Sequence, residues 1–115
     1  MILYHALPKV YAETQLDDNG FTNLHPVYEK HKDIIPGIWA TKDPRWSLEA
    51  SYNNEHHGKD IVLLEINTAD MDGIENHKDF TVKGRDYYLI RGKHIPADRI
   101  TNMGVVIKGK EAYDS

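Results

Sequence analysis

Residues 60–66 read Asp-Ile-Val-Leu-Leu-Glu-Ile, and Ile61 to Leu64 form the longest uninterrupted aliphatic run in the chain. A run of this length fits a strand and falls far short of the ~18–20 residues that a membrane-spanning helix needs. It predicts a clear buried strand. Polar sequence bounds it on both sides: Asn53-Asn54-Glu55-His56-His57-Gly58 before it, and the turn Asp70-Met71-Asp72-Gly73 after it.

The remaining apolar stretches are also short. Residues 2–6 suit a strand that starts at once, without the basic and long apolar regions of a secretory signal. Pro8 opens a predicted helix over 8–18, closed by Asn19-Gly20, with Phe21 packing back on it. Residues 22–36, broken by Pro26 and Pro36, predict a loop. Residues 38–41 predict a strand. Asp43-Pro44 pairs an N-cap acceptor with proline at the first helical position, so a helix is expected over 44–54, packed on the sheet through Trp46 and Ala50. Residues 80–82, 87–91 and 103–107 predict further strands, and residues 96–100 one helical turn. The sum is a single α+β domain over residues 1–115, with a mainly antiparallel, split β-sheet and two or three short helices.

Composition narrows the function. The chain has 115 residues and no cysteine, which rules out thiolate catalysis and disulfides. A small disulfide-free domain without a signal segment fits the cytoplasm. The formal charge is −4, from 14 basic and 18 acidic residues. Nonspecific nucleic-acid binders rely on a basic surface, so a small molecule or a protein is the expected partner. Seven histidines invite a metal reading. However, no HExxH spacing occurs, the Asp70–Gly73 turn is not a full twelve-residue calcium loop, and adjacent His56 and His57 diverge. No metal is expected. Neither a Walker loop nor a GxGxxG occurs, so standard phosphate cradles are absent.

What remains is an ordered series of segments. Leu3-Tyr4-His5-Ala6 places a histidine on the first strand. Gly37-Ile38-Trp39-Ala40-Thr41-Lys42-Asp43-Pro44 is a strand running into a capped helix that ends in Glu49-Ala50-Ser51-Tyr52. Arg85-Asp86-Tyr87-Tyr88-Leu89-Ile90 precedes Ile95-Pro96-Ala97-Asp98-Arg99-Ile100. In this order, the segments resemble the compact split-sheet fold of ADP-ribosyltransferases and tRNA 2′-phosphotransferases. The acidic charge sets the RNA-directed branch behind the other.

The resemblance implies an NAD-dependent ADP-ribosyltransferase with a protein acceptor, akin to small effectors of toxin and phage systems. It implies that His5 meets an NAD ribose hydroxyl, that Trp39 or Tyr52 supplies the nicotinamide-facing ring, and that Thr41 offers a hydroxyl near the ribose. Arg45 is available to the pyrophosphate, as are Lys42, Arg85 and Arg91. The late-strand glutamate of the family, counted back from Ile95-Pro96, falls on Tyr87, with Asp86 one residue earlier. A one-residue offset on a strand changes the face. Either a bulge brings Asp86 into the cleft as the charge-stabilising carboxylate, or the chain is a non-catalytic member of the fold that binds a nucleotide or a protein.

Overall fold

The computed structural model describes residues 1–22, 37–52, 60–78, 84–92 and 94–107. Strand β1 (Ile2–Pro8) leads directly into helix α1 (Lys9–Gln15), followed by the short strands β2 (Leu16–Asp17) and β3 (Gly20–Thr22). Strand β4 (Gly37–Thr41) precedes helix α2 (Pro44–Tyr52), and β5 is Asp60–Asn67. The chain continues through β6 (Ile74–Lys78), β7 (Asp86–Arg91), β8 (His94–Pro96), a 3-10 turn (Ala97–Arg99) and β9 (Ile100–Ile107).

Six strands form one sheet in the order β6-β7-β4-β1-β5-β9, and three form a smaller sheet in the order β2-β3-β8. Among the described residues, all the pairings are antiparallel. The α+β character and the antiparallel sheets agree with the sequence reading.

The buried run explains the layering. Successive strand residues point to opposite faces. Val62, Leu64 and Ile66 therefore join Leu3, Leu7, Ile38, Ala40, Tyr88 and Ile90 on one face, packed against Ala12 of α1 and against Phe21 and Ile95 of the small sheet. Ile61 and Leu63 point the other way and pack with Leu48 of α2, flanked by Tyr4 and Ala6. The central strands are thus covered on both sides, which a continuous apolar run requires.

Helix α2 starts as its sequence dictates. The Asp43 carboxylate accepts the Arg45 backbone N–H at 2.9 Å, and the Asp43 carbonyl accepts the Trp46 N–H at 3.0 Å. Its inward residues are Ser47 and Leu48, whereas Trp46 is only half-buried beneath the Arg85 guanidinium. Ala50 lies in a part of the helix whose side chains are outside the described residues.

Three expectations change. The first helix stops at Gln15, because residues 16–22 fold as a hairpin on the small sheet. Asn19-Gly20 is accordingly a hairpin turn and not a helix stop. Gly20 has φ 127°, and a side chain there would run into the Ile95 carbonyl and come within 2.8 Å of the Ala97 nitrogen. Strands β6 and β8 were not foreseen. The predicted loop at 23–36, the polar stretch 53–59 and the predicted strand at 80–82 lie outside the described residues. Among the described residues, no helix is long and apolar enough to cross a membrane.

Candidate functional site

The six-stranded sheet is poorly closed at one seam. β1 and β5 share seven registered pairs and β4 and β7 share five, but β1 and β4 share only Tyr4 with Thr41. Every backbone carbonyl is a strong hydrogen-bond acceptor. Here side chains add bonds across and beside the seam. His5 donates from Nδ1 to the Trp39 carbonyl at 2.6 Å. On the side of α2, the Ser47 hydroxyl donates to the Tyr4 carbonyl at 2.7 Å. Thr41 donates to the Asp43 carbonyl at 2.7 Å, and its oxygen lies 2.6 Å from Ser47 Oγ.

The Trp39 bond fixes the His5 tautomer. A carbonyl only accepts, so Nδ1 carries the proton and Nε2 of the neutral ring is an acceptor. Burial lowers the His5 pKa, opposed by the bond to Trp39. The ring is partly exposed and stands 5.4 Å from the Phe21 ring, tilted by 53°.

Register extends this site across β4 to β7. Ala40 stands opposite Tyr88, and Tyr88 opposite Asn76. β7 keeps unbroken register with both neighbours, so no bulge is needed to turn Asp86. Asp86, Tyr88 and Ile90 share the face that carries Ala40 and packs toward Phe21, whereas Tyr87 points toward α2. Lys42 stands beside them, with Nζ 5.4 Å from the Tyr88 ring centre. Its pKa is raised by a hydrogen bond to the Tyr88 hydroxyl and by the tyrosyl charge, with Asp86 adding to the effect. Asn76 donates to the same hydroxyl at 3.4 Å.

Of the residues the sequence nominates, the structure brings His5 and Asp86 to one face of the sheet. Lys42 joins them there, whereas Thr41, Trp39 and Arg45 do not. Thr41 is buried and committed to Ser47 and Asp43 on the side of α2, because period-2 alternation sets it opposite to Ala40. Trp39 alternates the same way. It is 50% exposed, and its indole meets His77 edge-on at 5.2 Å. It joins the His5 site through its backbone carbonyl. Arg45 is paired with Asp43 at 2.7 Å. Tyr52 is the last residue of α2, and its side chain is outside the described residues.

Sequence reasoning passed over Asn76 and Phe21 as site residues. Counting by two from Asp86 puts Tyr88 on its face, but Phe21 and Asn76 reach the site only through the pairing of strands distant in sequence. A second polar cluster lies on the outer side of β6 and β7. Arg91 holds the Glu75 carboxylate, lowering its pKa, and His77 approaches it at 3.4 Å. Among the described residues, no group of three or more His, Asp or Glu is placed to hold a metal ion. Compared with known proteins, the chain matches no family model, no curated protein and no solved structure.

Proposed function

We propose that this chain is a cytoplasmic, NAD-dependent ADP-ribosyltransferase of the split-sheet type, acting on a protein acceptor. The observation that carries the reading is the open seam between β1 and β4. The histidine strand and the tryptophan strand part there, and His5 is anchored across the gap in its neutral form with Nε2 free to accept among the described residues.

ADP-ribosyl transfer breaks the bond between ribose C1′ and the nicotinamide nitrogen. The electron pair leaves with nicotinamide, and C1′ becomes oxocarbenium-like, as in glycoside hydrolysis. The acceptor's nucleophile then bonds to C1′ and gives up its proton. His5 Nε2 accepts a hydrogen bond from a ribose hydroxyl and holds the sugar. Asp86 offsets the developing positive charge through the 2′-hydroxyl of the same ribose. From strand spacing, the two Cα atoms are on the order of 12 Å apart. Tyr88 walls the site beside Asp86, and Lys42 offers a cation to the pyrophosphate.

Nicotinamide release from NAD, with protein acceptors supplied, tests this reading. Asp86→Asn should keep NAD affinity within a few-fold and reduce turnover by a factor on the order of 10²–10³. NAD binding without nicotinamide release would make the protein a non-catalytic nucleotide binder. Neither binding nor release would end the NAD reading altogether.

A further inference from the structure

A groove of about 290 Å³ lies between the small sheet and β9, lined by Leu16, Asp17, Gly20, Ala97, Ile100 and Asn102. It is separate from the His5 site, since the fully buried Leu64 and the nearly buried Phe21 stand between them. Its volume is at the low end of ligand pockets, which run from about 300 to 1,000 Å³, so it suits one side chain and not a dinucleotide.

The polar groups of the groove are half-used. Asp17 Oδ1 accepts the Asn19 N–H at 2.8 Å, which leaves Oδ2 as an acceptor. Asn102 Oδ1 accepts the Gly104 N–H at 2.8 Å, which leaves the Nδ2 protons as donors. Neither remaining group has a partner among the described residues. Leu16, Ala97 and Ile100 supply the apolar part of the lining. Asp18 and Asp98, next in sequence to Asp17 and Ala97, are exposed. Arg99, next to Asp98, turns its guanidinium to the Ala69 carbonyl.

A carboxylate acceptor, apolar walls and an amide donor lining one groove match one kind of group. We infer that this groove docks the basic side chain, arginine or lysine, of a protein partner. The charged head pairs with Asp17, the stem lies on Leu16 and Ile100, and the partner's backbone carbonyl accepts from Asn102 Nδ2. Charge complementarity supports this occupant, since the whole chain carries −4. The inference holds whether or not the protein turns over NAD.

The test is an NMR titration of the full chain with Nα-acetyl-arginine amide and Nα-acetyl-lysine amide. The uncharged isostere Nα-acetyl-citrulline amide serves as control. The signals followed are the Gly20 and Ala97 backbone amides and the Asn102 side-chain amide. Saturable shifts with a basic probe, at least about tenfold weaker with citrulline, are expected for a charge-assisted contact. Asp17→Asn retains the Oδ1 that holds the turn and should weaken the basic probe about tenfold. Shifts that do not saturate, or equal affinity for citrulline, would overturn the inference. Unchanged binding in a folded Asp17→Asn variant would do the same. Should that variant fail to fold, the citrulline comparison on the natural chain still decides.

Discussion

β1 has two neighbours in the same sheet and is joined to them differently. Toward β5 it is closed by backbone: seven registered pairs, and beyond them Thr68, which bonds the Met1 carbonyl through both its N–H at 2.9 Å and its hydroxyl at 2.7 Å. Toward β4 it has one registered pair, with His5 and Ser47 filling in from opposite sides. Backbone closure is independent of side-chain identity, so the β5 side needs only apolar residues of strand-forming type. Side-chain closure needs a specific donor at each position. Polar residues therefore enter an otherwise apolar strand where the ladder fails, and there they also have atoms left over for a ligand.

Substitutions can break this contrast, and the largest effect is expected on the closed side. Leu64 is fully buried opposite His5. Leu64→Ala should cost about 2–5 kcal/mol by urea denaturation, from lost transfer energy and the cavity left behind. A cost under ~1 kcal/mol would show that this ladder is not the rigid half of the sheet.

The open side should respond to loss of a donor rather than loss of volume. Ser47→Ala removes the hydroxyl that donates to the Tyr4 carbonyl, and His5→Ala removes the ring that donates to that of Trp39. Each should cost about 1–3 kcal/mol. His5→Asn places an amide N–H near the position of Nδ1 and should recover most of the loss. Equal destabilisation by Ala and Asn at position 5 would mean that ring packing on Phe21, and not the hydrogen bond, holds the seam.

The same histidine gives the seam a pH dependence that the closed side lacks. Burial lowers the His5 pKa in the folded state below the ordinary ~6.5 of the unfolded chain. Between those two values the unfolded chain binds more protons. Stability is thus complete at higher pH and falls as pH drops below ~6.5, until the folded-state pKa is reached. Comparing the natural chain with His5→Asn from about pH 7.5 to 5 isolates this component. Parallel profiles for the two proteins would refute it.

The smallest effect concerns how α2 delivers Ser47 to the seam. Asp43→Ala removes the cap of that helix and should cost about 1 kcal/mol. Its cost should shrink in a Ser47→Ala background if the cap acts partly by seating Ser47, and a double-mutant cycle reads that coupling.

The parts read correctly from sequence are those governed by local chemistry. The run at 61–64, the strand at residues 2–6 and the Asp43-Pro44 start of α2 depend on alternation and capping within a few residues. Misreadings occurred where distant strands decide. Asn19-Gly20 is a reasonable helix stop in isolation, but it becomes a hairpin turn because β3 must pair with β8, 72 residues away at Thr22 and His94. β6 has the polar sequence Ile-Glu-Asn-His-Lys, which carries little strand signal, and exists by pairing along β7.

The site divides along the same line. Sequence by itself determined which strands carry the candidate residues and that Asp86 and Tyr87 must face opposite ways, since side-chain alternation is a property of any strand. Only the tertiary structure decided which of the two faces His5 occupies, and that Tyr88 and Lys42 flank Asp86 while Thr41 and Trp39 turn toward α2. Those facts depend on the register between β1, β4 and β7. Register is set by the packing of Phe21 and Ile95 on one side and Leu48 on the other, contacts between residues far apart in the chain that no local pattern encodes.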